Sequence, residues 1–432
     1  MTEGPALPIL ILGAGLSGLR TAVLLKREGF AVKVLEARDR IGGRVYTKKI
    51  GNVHVELGGE WIGMKDFGMR AICKEYGLQL IPHQLNMHLM YEGKHYRPEE
   101  WTANTGWEKE LQELVRRFPE LTPEEVQRLQ NIDWWHFLGQ HHVSVRDMNI
   151  LDLIRSTDFG EDMRFVPAYD VLYDYAVGGD GEEACSHTIQ GGNKRLPEAM
   201  LEELGEENLV LNAEVTEVRQ KPDEVSVMCK DGTSYTGQAI VAAIPTLAVT
   251  NITWSPGIPQ AQMDAFNEVT YARILKTAVS FEKAFWNDDE FEIVTDLLPQ
   301  QIYHATPGQT DGAALIAYTV GDRAQVMSSL PDSAKEIEMQ KVLQATLGDH
   351  VPTASEVTSY YWGADPYTGG AYPWFERDDR TKLQPLLRMS SGRVHFSGEH
   401  TAKRYGFMEG AIESGERVAE EVITSLKSGK SQ

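Results

Sequence analysis

The sequence predicts an α/β protein in which a Rossmann-like region is interleaved with a second, α+β region of mixed sheet and helices. Two observations lead to this prediction. The chain opens with an apolar strand, a glycine-rich turn and a helix, and strand patterns of the same region return after residue 208 and near residue 394. The passages between them carry a helix-rich composition and further strand patterns. Both regions are therefore expected to be assembled from separated segments.

The opening element is a strand, turn, helix and strand. Residues 8–13 form a short apolar run, which is typical of a strand buried on both faces. Residues 16–28 carry apolar side chains at helical spacing, and "FAVKVLEA" supplies a second strand. This order predicts one right-handed βαβ unit.

The 432 residues exceed the usual size of one domain, so two are expected. We predict a first, Rossmann-like domain from residues 1–85, 186–250 and 388–432. The second, substrate-side domain takes residues 86–185 and 251–387, including a helical insertion from about 99 to 158. Strand patterns at 274–281, 291–296 and 313–320 predict its antiparallel sheet, and a helix is expected around 333–346.

Charge and composition exclude several classes of partner. With 63 acidic and 42 basic residues the formal net charge is −21, which would repel nucleic acid and an anionic membrane surface. The same charge would concentrate cationic small molecules, although solubility alone also accounts for it. No stretch approaches the ~20 apolar residues of a membrane span. We therefore expect a soluble protein with no nucleic-acid or membrane partner; a homodimer is left open.

The three cysteines, Cys73, Cys185 and Cys229, lie far apart and form no CxxC pair. Neither a disulfide framework nor a zinc site is indicated, and no metal is expected. This cysteine usage predicts a cytoplasmic location.

The strongest local motif is Gly13-Ala14-Gly15-Leu16-Ser17-Gly18, between the first strand and its helix. Gly13 permits a tight turn, Gly15 lets backbone approach a pyrophosphate, and Gly18 allows close packing of helix on strand. The helix begins at Leu16 and Ser17, where free N–H groups attract an anion. Glu36 ends the second strand and can accept hydrogen bonds from a ribose diol. The motif predicts a dinucleotide and leaves FAD and NAD open.

The residues that follow favour FAD. Arg38, Arg40 and Arg44, with the pair Gly42 and Gly43, would lie near a diphosphate, because arginine suits bidentate phosphate contacts. The stretch "GAGLSGL…VLEARDRIGGRV" followed by "VELGGEWIG" resembles the N-terminus of the flavin amine oxidase family, which includes monoamine, polyamine and L-amino-acid oxidases. The resemblance implies an amine oxidase type of fold and FAD contacts at Ala37, Gly58, Gly59, Glu60 and Trp61. Desaturases and protoporphyrinogen oxidase share this part.

Later segments resemble the same family more specifically. "NAEVTEV" is similar to a passage whose valine faces the adenine, and Val215 holds that place, although a core valine would fit equally well. "HFSGEHTAKRYGFMEGAIESGERVAEEV" matches the C-terminal flavin motif. The resemblance implies that the motif contacts FAD through Gly398, Glu399, Gly406, Phe407, Met408 and Ala411.

The resemblance also implies the reacting groups. Lys276, a charged residue in an apolar strand, would assist reoxidation of the flavin by oxygen; the alternative is the solvent face of an edge strand. Trp362 would pack near the flavin, and Tyr372 and Phe407 would form the two walls of an amine cage. In monoamine oxidases the second wall is commonly tyrosine. Some members attach FAD through a cysteine where this chain has Ala371, so non-covalent FAD is expected.

Glu60 departs from the family, which usually has a small or neutral residue beside these two glycines. Facing the cavity, it could bind a second cationic group or move a proton; facing outward, it would be a surface acid. The expected activity is hydride transfer from the carbon next to an amine nitrogen to FAD. It would give an imine and, with molecular oxygen, hydrogen peroxide.

Several alternatives remain. An L-amino-acid oxidase should carry a pocket arginine for the substrate carboxylate, and Lys65 and Arg70 do not fall convincingly at that place. A polyamine oxidase is supported by Glu60 and the acidic charge. A biosynthetic oxidase of an unusual amide or cyclic amine, and a non-catalytic FAD-binding scaffold or chromatin partner, also stay open.

Overall fold

The computed structural model describes residues 7–97, 100, 105–177, 186–286, 291–375 and 379–428. A five-stranded parallel sheet forms its first layer, and the opening βαβ unit is present as predicted. The first strand pairs with both its sequence neighbour and a strand more than 200 residues later, which places it at the centre of the sheet. The strand order is Val394–Phe396, Ala239–Ala242, Ile9–Leu12, Val32–Leu35 and Leu209–Val210.

Both faces of this sheet are covered, which explains why its strands are apolar on both sides. One face packs against helices, where Ile9, Ile11 and Val34 join a single apolar cluster. The helices on that face are Leu16–Arg27, Arg195–Leu204 and Met408–Ser428. The other face carries Leu10 and Leu12 into a second cluster, against a four-stranded sheet. Its strands are Ser234–Gly237, Val225–Cys229, Val215–Gln220 and Thr253–Ser255.

A seven-stranded mixed sheet forms the second region. Its strands run in the order Glu356–Tyr361, Ile274–Phe281, Ala313–Val320, Gln301–His304, Phe291–Thr295, Asn86–Tyr91 and Lys94–Tyr96. Neighbouring strands are antiparallel except for the parallel pair formed by Phe291–Thr295 and Asn86–Tyr91. The strand Ile274–Phe281 is buried along its whole length and has a neighbour on each side.

The helical insertion extends beyond residue 158, where the sequence predicted its end. Its helices are Thr105–Arg117, Pro123–Gln130, Trp134–Gln140, Val145–Phe159 and Ala168–Val177. Thr122 caps one of them, and its side chain and that of Glu125 form a reciprocal capping box. The predicted helix around 333–346 is Asp332–Leu347.

The remaining elements connect these layers. Three two-stranded ladders pair Thr47–Ile50 with Val53–Glu56, Leu80–Pro82 with His187–Ile189, and Thr270–Tyr271 with Pro373–Trp374. Further helices are Phe67–Glu75, Thr246–Asn251, Gln260–Glu268, Gly321–Ser329 and Asp379–Arg388. Short 3₁₀ turns lie at Phe118–Glu120, Glu206–Asn208, Trp362–Ala364 and Glu399–Thr401. In the described residues, no helix is long and apolar enough to span a bilayer.

Candidate active site

A cavity of about 650 Å³ lies at the carboxyl ends of the parallel strands and reaches the mixed sheet. Leu12, Leu35 and Ala243 line it from the first region, and Lys276 and Tyr318 from the second. Apart from Gly18 and Arg40, all the residues predicted to bind a cofactor or act on a substrate line this cavity. The fold therefore brings the predicted residues together from distant parts of the chain.

The glycine motif adopts the geometry that its spacing predicts. Gly13 has a φ of +96°, a conformation that favours glycine. A Cβ on Gly18 would lie 2.1 Å from the carbonyl oxygen of Gly13, so Gly18 serves the close approach of helix and turn without lining the cavity. Glu36 is buried and accepts hydrogen bonds from the backbone N–H groups of Ala14, at 2.7 Å, and Arg38, at 2.9 Å.

The three arginines after the second strand have different surroundings. Arg38 lines the cavity and donates two hydrogen bonds to Asp365, at 2.8 and 2.7 Å. Arg40 donates to the carbonyl oxygens of Ile41 and Gly43 instead, at 3.2 and 2.9 Å, and does not line the cavity. We expected Arg40 to lie close to a bound diphosphate, but it is not among the residues that line the cavity.

Arg44 and Glu399 form an ion pair in the cavity wall. One guanidinium nitrogen donates to Glu399 Oε2 at 2.6 Å. Burial would raise the pKa of Glu399, but Arg44 and His400 lower it to about 2, so the carboxyl is ionised. The other atoms, Arg44 Nη1 and Glu399 Oε1, are buried and have no hydrogen-bond partner among the described residues. Such orphaned polar atoms in a cavity wall fit a polar cofactor.

Lys276 and Glu60 form a second, deeper ion pair. Lys276 is 5 % exposed and Glu60 4 %, and Lys276 Nζ lies 2.6 Å from Glu60 Oε2. The same ammonium donates to the carbonyl oxygens of Glu56, at 3.3 Å, and Gly58, at 3.1 Å. Tyr303 donates its hydroxyl proton to Glu60 Oε2 at 2.6 Å. Glu60 thus faces the cavity, and Lys276 lies on an interior strand, which excludes the surface alternatives for both.

Aromatic side chains line the next part of the cavity. Trp362 is 1 % exposed and donates its indole N–H to the carbonyl oxygen of Leu57 at 2.7 Å. Tyr372 follows a cis peptide bond from Ala371 and donates its hydroxyl proton to the carbonyl oxygen of Asp158.

Phe407 and Tyr372 line the same cavity. A Cβ on Gly406, the residue before Phe407, would lie 3.4 Å from the Tyr372 ring. Phe407 is 45 % exposed, and the Arg404 guanidinium lies 4.6 Å from its ring centroid.

The sequence prediction missed a charged group from the helical insertion. Arg155, Asp158 and Asp174 line the cavity. Arg155 contacts Asp158 at 2.9 Å and Asp174 at 3.3 Å, and it donates to the hydroxyl of Tyr175 at 2.9 Å. Burial raises the pKa of both Asp158 and Asp174. The i, i+3 spacing of Arg155 and Asp158 was the available signal, but it is equally typical of a solvent-exposed helix face.

The sequence prediction also missed residues that support or form the cavity wall. Asp365 holds the aromatic loop in place because it accepts from Arg38 and from the Tyr360 hydroxyl, the latter at 2.5 Å. Gln301, Tyr303 and Tyr318 line the cavity from the mixed sheet. Lys65 and Arg70 do not line it.

The glycine-rich turn, Glu36 and the Arg44–Glu399 pair around one cavity fit a nucleotide cofactor. Comparison with known proteins assigns the family. The family described as "Flavin containing amine oxidoreductase" matches residues 16–423. The chain therefore belongs to the flavin-containing amine oxidoreductases: it is an oxidoreductase acting on amines, and its cofactor is FAD. Ala371 offers no thiol for a covalent bond to the flavin.

Curated relatives are distant in sequence but similar along almost the whole chain. An L-amino acid dehydrogenase of Synechocystis is 24 % identical over 99 % of this chain and 97 % of its own. A flavin-containing amine oxidase A of Sus scrofa is 26 % identical, over 98 % of this chain and 86 % of its own.

Solved structures confirm the predicted fold class. A putrescine oxidase bound to putrescine has a TM-score of 0.85 at 22 % identity, covering 97 % of this chain and 99 % of that one. A cyclohexylamine oxidase from Brevibacterium oxydans has a TM-score of 0.86 at 20 % identity, covering 98 % of this chain and 100 % of that one.

Proposed function

We propose that this enzyme oxidises a small amine at the carbon next to the nitrogen and gives an imine. The observation that carries the proposal is the single cavity in which the glycine motif and the Arg44–Glu399 pair meet Lys276, Trp362 and Tyr372. When bound, FAD would supply the two-electron chemistry, in which the substrate carbon loses a hydride and the electrons reduce oxygen to hydrogen peroxide. Hydrolysis of the imine then gives a carbonyl compound and ammonia or an amine.

The protein's part in this proposal is cofactor binding, orientation and desolvation. The residues proposed to hold FAD are those of the glycine motif, Glu36, Arg38 and the Arg44–Glu399 pair, whose unpartnered polar atoms would bind it. The division into an FAD-binding domain and a substrate domain is part of the same proposal. The cytoplasmic location and the homodimer also stay predictions.

The proposed substrate class is based on the aromatic and acidic side chains that line the cavity. Tyr372 and Phe407 would orient the amine between them, and Trp362 would shape the space beside it. Both rings can present a π face to an ammonium, which is attracted by the ring quadrupole. Asp158 and Asp174 add negative charge to the same cavity. We therefore prefer an amine without a carboxylate.

A second candidate is oxidation of an L-amino acid, because Arg155 lines the cavity and could fork a substrate carboxylate. The named activity of the Synechocystis relative, L-amino acid dehydrogenase, points the same way. Against it, Arg155 already contacts two carboxylates, which would repel a third.

An anaerobic panel separates these candidates. Primary, secondary and cyclic amines, polyamines and amino acids are mixed with the FAD-loaded enzyme while flavin absorbance is followed. We expect simple amines to bleach the flavin fastest and to yield hydrogen peroxide on admission of air. Fastest bleaching by amino acids, lost on Arg155→Met, would make the second candidate correct. A flavin that no amine bleaches would support the scaffold alternative.

A further inference from the structure

The Lys276–Glu60 pair extends beyond the cavity to a buried histidine. His83 is 3 % exposed and does not line the cavity. Its Nδ1 lies 3.8 Å from Glu60 Oε1, on the far side of the carboxylate from the atom that binds Lys276 and Tyr303. The carboxylate therefore stands between two cavity-lining donors and one imidazole that has no contact with the cavity.

The tautomer of His83 follows from its other nitrogen. Nε2 lies 2.8 Å from the carbonyl oxygen of His304. A carbonyl oxygen can only accept, so Nε2 carries the proton and the neutral ring has a lone pair on Nδ1. Among the described residues, Nδ1 has no hydrogen-bond partner. A bare ring nitrogen thus faces a carboxylate, and only an added proton would make this contact favourable.

The chemistry of the proposed reaction needs such a proton acceptor. A free alkylamine is a cation at neutral pH, and it has to lose one N–H proton before its nitrogen lone pair can assist hydride loss from the neighbouring carbon. Burial in the cavity would favour this loss, because desolvation disfavours the substrate cation. The proton then has to leave the reacting end of the cavity.

We propose that Glu60 and His83 form a proton relay that accepts this proton from the cavity. The substrate N–H bond breaks and its electron pair stays on nitrogen. The hydroxyl of Tyr303 passes its proton to Glu60 and takes up the substrate proton on the same oxygen, while Lys276, whose three N–H groups are bonded to Glu56, Gly58 and Glu60, holds the carboxylate in place. The proton ends on His83 Nδ1, and no electrons are transferred. Glu60 and His83 act through Tyr303 and are positioning residues. The inference rests on the proposed function.

The groups around His83 act on its protonation in opposite directions. Burial lowers the pKa of His83, so the ring is neutral before the substrate binds, whereas the Glu60 carboxylate raises it and would stabilise the added proton. Burial and Glu60 raise the pKa of Tyr303, so its hydroxyl keeps its proton between transfers. The remaining titratable groups that face the relay are Glu56, Glu292, His304 and Tyr318.

The first test is the pH dependence of anaerobic flavin reduction by a saturating amine, from pH 6 to 10. His83→Gln can keep a donor toward His304 but cannot take a proton. We expect its reduction rate to fall about tenfold at pH 7 and to recover toward the wild-type rate near the pKa of the amine, where the substrate arrives neutral. Glu60→Gln should shift the profile in the same direction. Glu161→Gln breaks a buried ion pair with Arg273 outside the cavity and should leave the profile unchanged.

The second test needs no turnover. tert-Butylamine has no hydrogen on the carbon next to nitrogen, so it can bind but cannot be oxidised. We expect its addition to the FAD-loaded enzyme, followed by ¹⁵N NMR of labelled histidines, to convert one buried imidazole from the Nε2–H form to the cation. That signal should be absent in His83→Gln and unresponsive in Glu60→Gln. The second variant keeps the test decisive if the first does not fold.

The outcomes separate the relay from the proposed function. If no amine bleaches the wild-type flavin, the proposed function is wrong. If amines bleach it but both variants keep the wild-type pH profile, or tert-butylamine leaves every buried imidazole neutral, the relay is wrong and the function stands.

Discussion

Replacing Arg44 should destabilise the protein and weaken FAD binding, because it leaves a buried carboxylate without its partner. Glu399 has a pKa of about 2, against an ordinary value of 4.5, as Arg44 and His400 outweigh its burial. At about 1.4 kcal/mol per pKa unit, this shift corresponds to roughly 3 kcal/mol of stability at neutral pH. Breaking a buried pair from one side typically costs about 3–5 kcal/mol. Arg44→Met should therefore lower the free energy of unfolding by about 3 kcal/mol.

The pH dependence of the unfolding free energy is an independent test of the Arg44–Glu399 pair. The pKa of Glu399 is lower in the folded than in the unfolded chain, so its contribution is present above pH 4.5 and is lost as the pH falls toward 2. Urea unfolding of the FAD-free protein at several pH values would measure it. The difference between wild type and Arg44→Met should shrink as the pH is lowered through this window.

A surface arginine supplies the matched control. Arg27 bonds Glu203 at 2.7 Å and Glu75 at 2.5 Å, and its side chain is 39 % exposed. Arg27→Met should cost no more than about 1 kcal/mol, because exposed ion pairs contribute little. In a double-mutant cycle, Arg44→Met with Glu399→Gln should cost less than the sum of the single changes. If Arg44→Met costs no more than Arg27→Met and leaves the FAD dissociation constant unchanged, the Arg44–Glu399 pair has neither role.

Three further changes test other parts of the site. Lys276→Met should slow reoxidation of reduced flavin by oxygen, measured by stopped flow; an unchanged rate would remove its assigned role. Gly18→Ala should abolish FAD retention or folding, since its Cβ would lie 2.1 Å from the oxygen of Gly13, whereas Gly139→Ala, which meets no atom within 4 Å, should retain FAD. Burial raises the pKa of Glu292 to about 7, so stability should fall by up to about 3 kcal/mol as the pH rises from 4.5 to 7. Glu292→Gln should flatten that slope in urea titrations; an unchanged slope would contradict the assignment.

The cofactor half of the site could be predicted from sequence because its determinants are local. The turn at Gly13, the helix that begins at Leu16 and the carboxylate of Glu36 lie within one βαβ unit, and each has a backbone reason to be where it is. The same holds for the passage from Gly398 to Ala411. In these segments, the spacing of the residues along the chain is enough to predict their geometry.

The substrate half could not be predicted in the same way because its contacts join distant segments. Arg155 and Asp158 have the pattern of an exposed helix pair, and only packing of the helical insertion against the mixed sheet turns them toward the cavity. The orientation of Glu60 depends on Lys276, 216 residues away along the chain. His83 carries no motif at all, and its role follows only from its distance to Glu60.

The cations of the cavity are arranged in a way that bears on the substrate. Each cation that lines the cavity contacts at least one acid of the protein; these cations are Arg38, Arg44, Arg155, Lys230 and Lys276. A substrate carboxylate at any of them would lie beside a carboxylate of the protein, and the repulsion between two desolvated anions would weaken its binding. A neutral or cationic amine meets no such repulsion. The charge pairing thus favours an amine over an amino acid. It is a stronger argument than the net charge of the chain, because the net charge acts over the whole surface and does not discriminate between positions in the cavity.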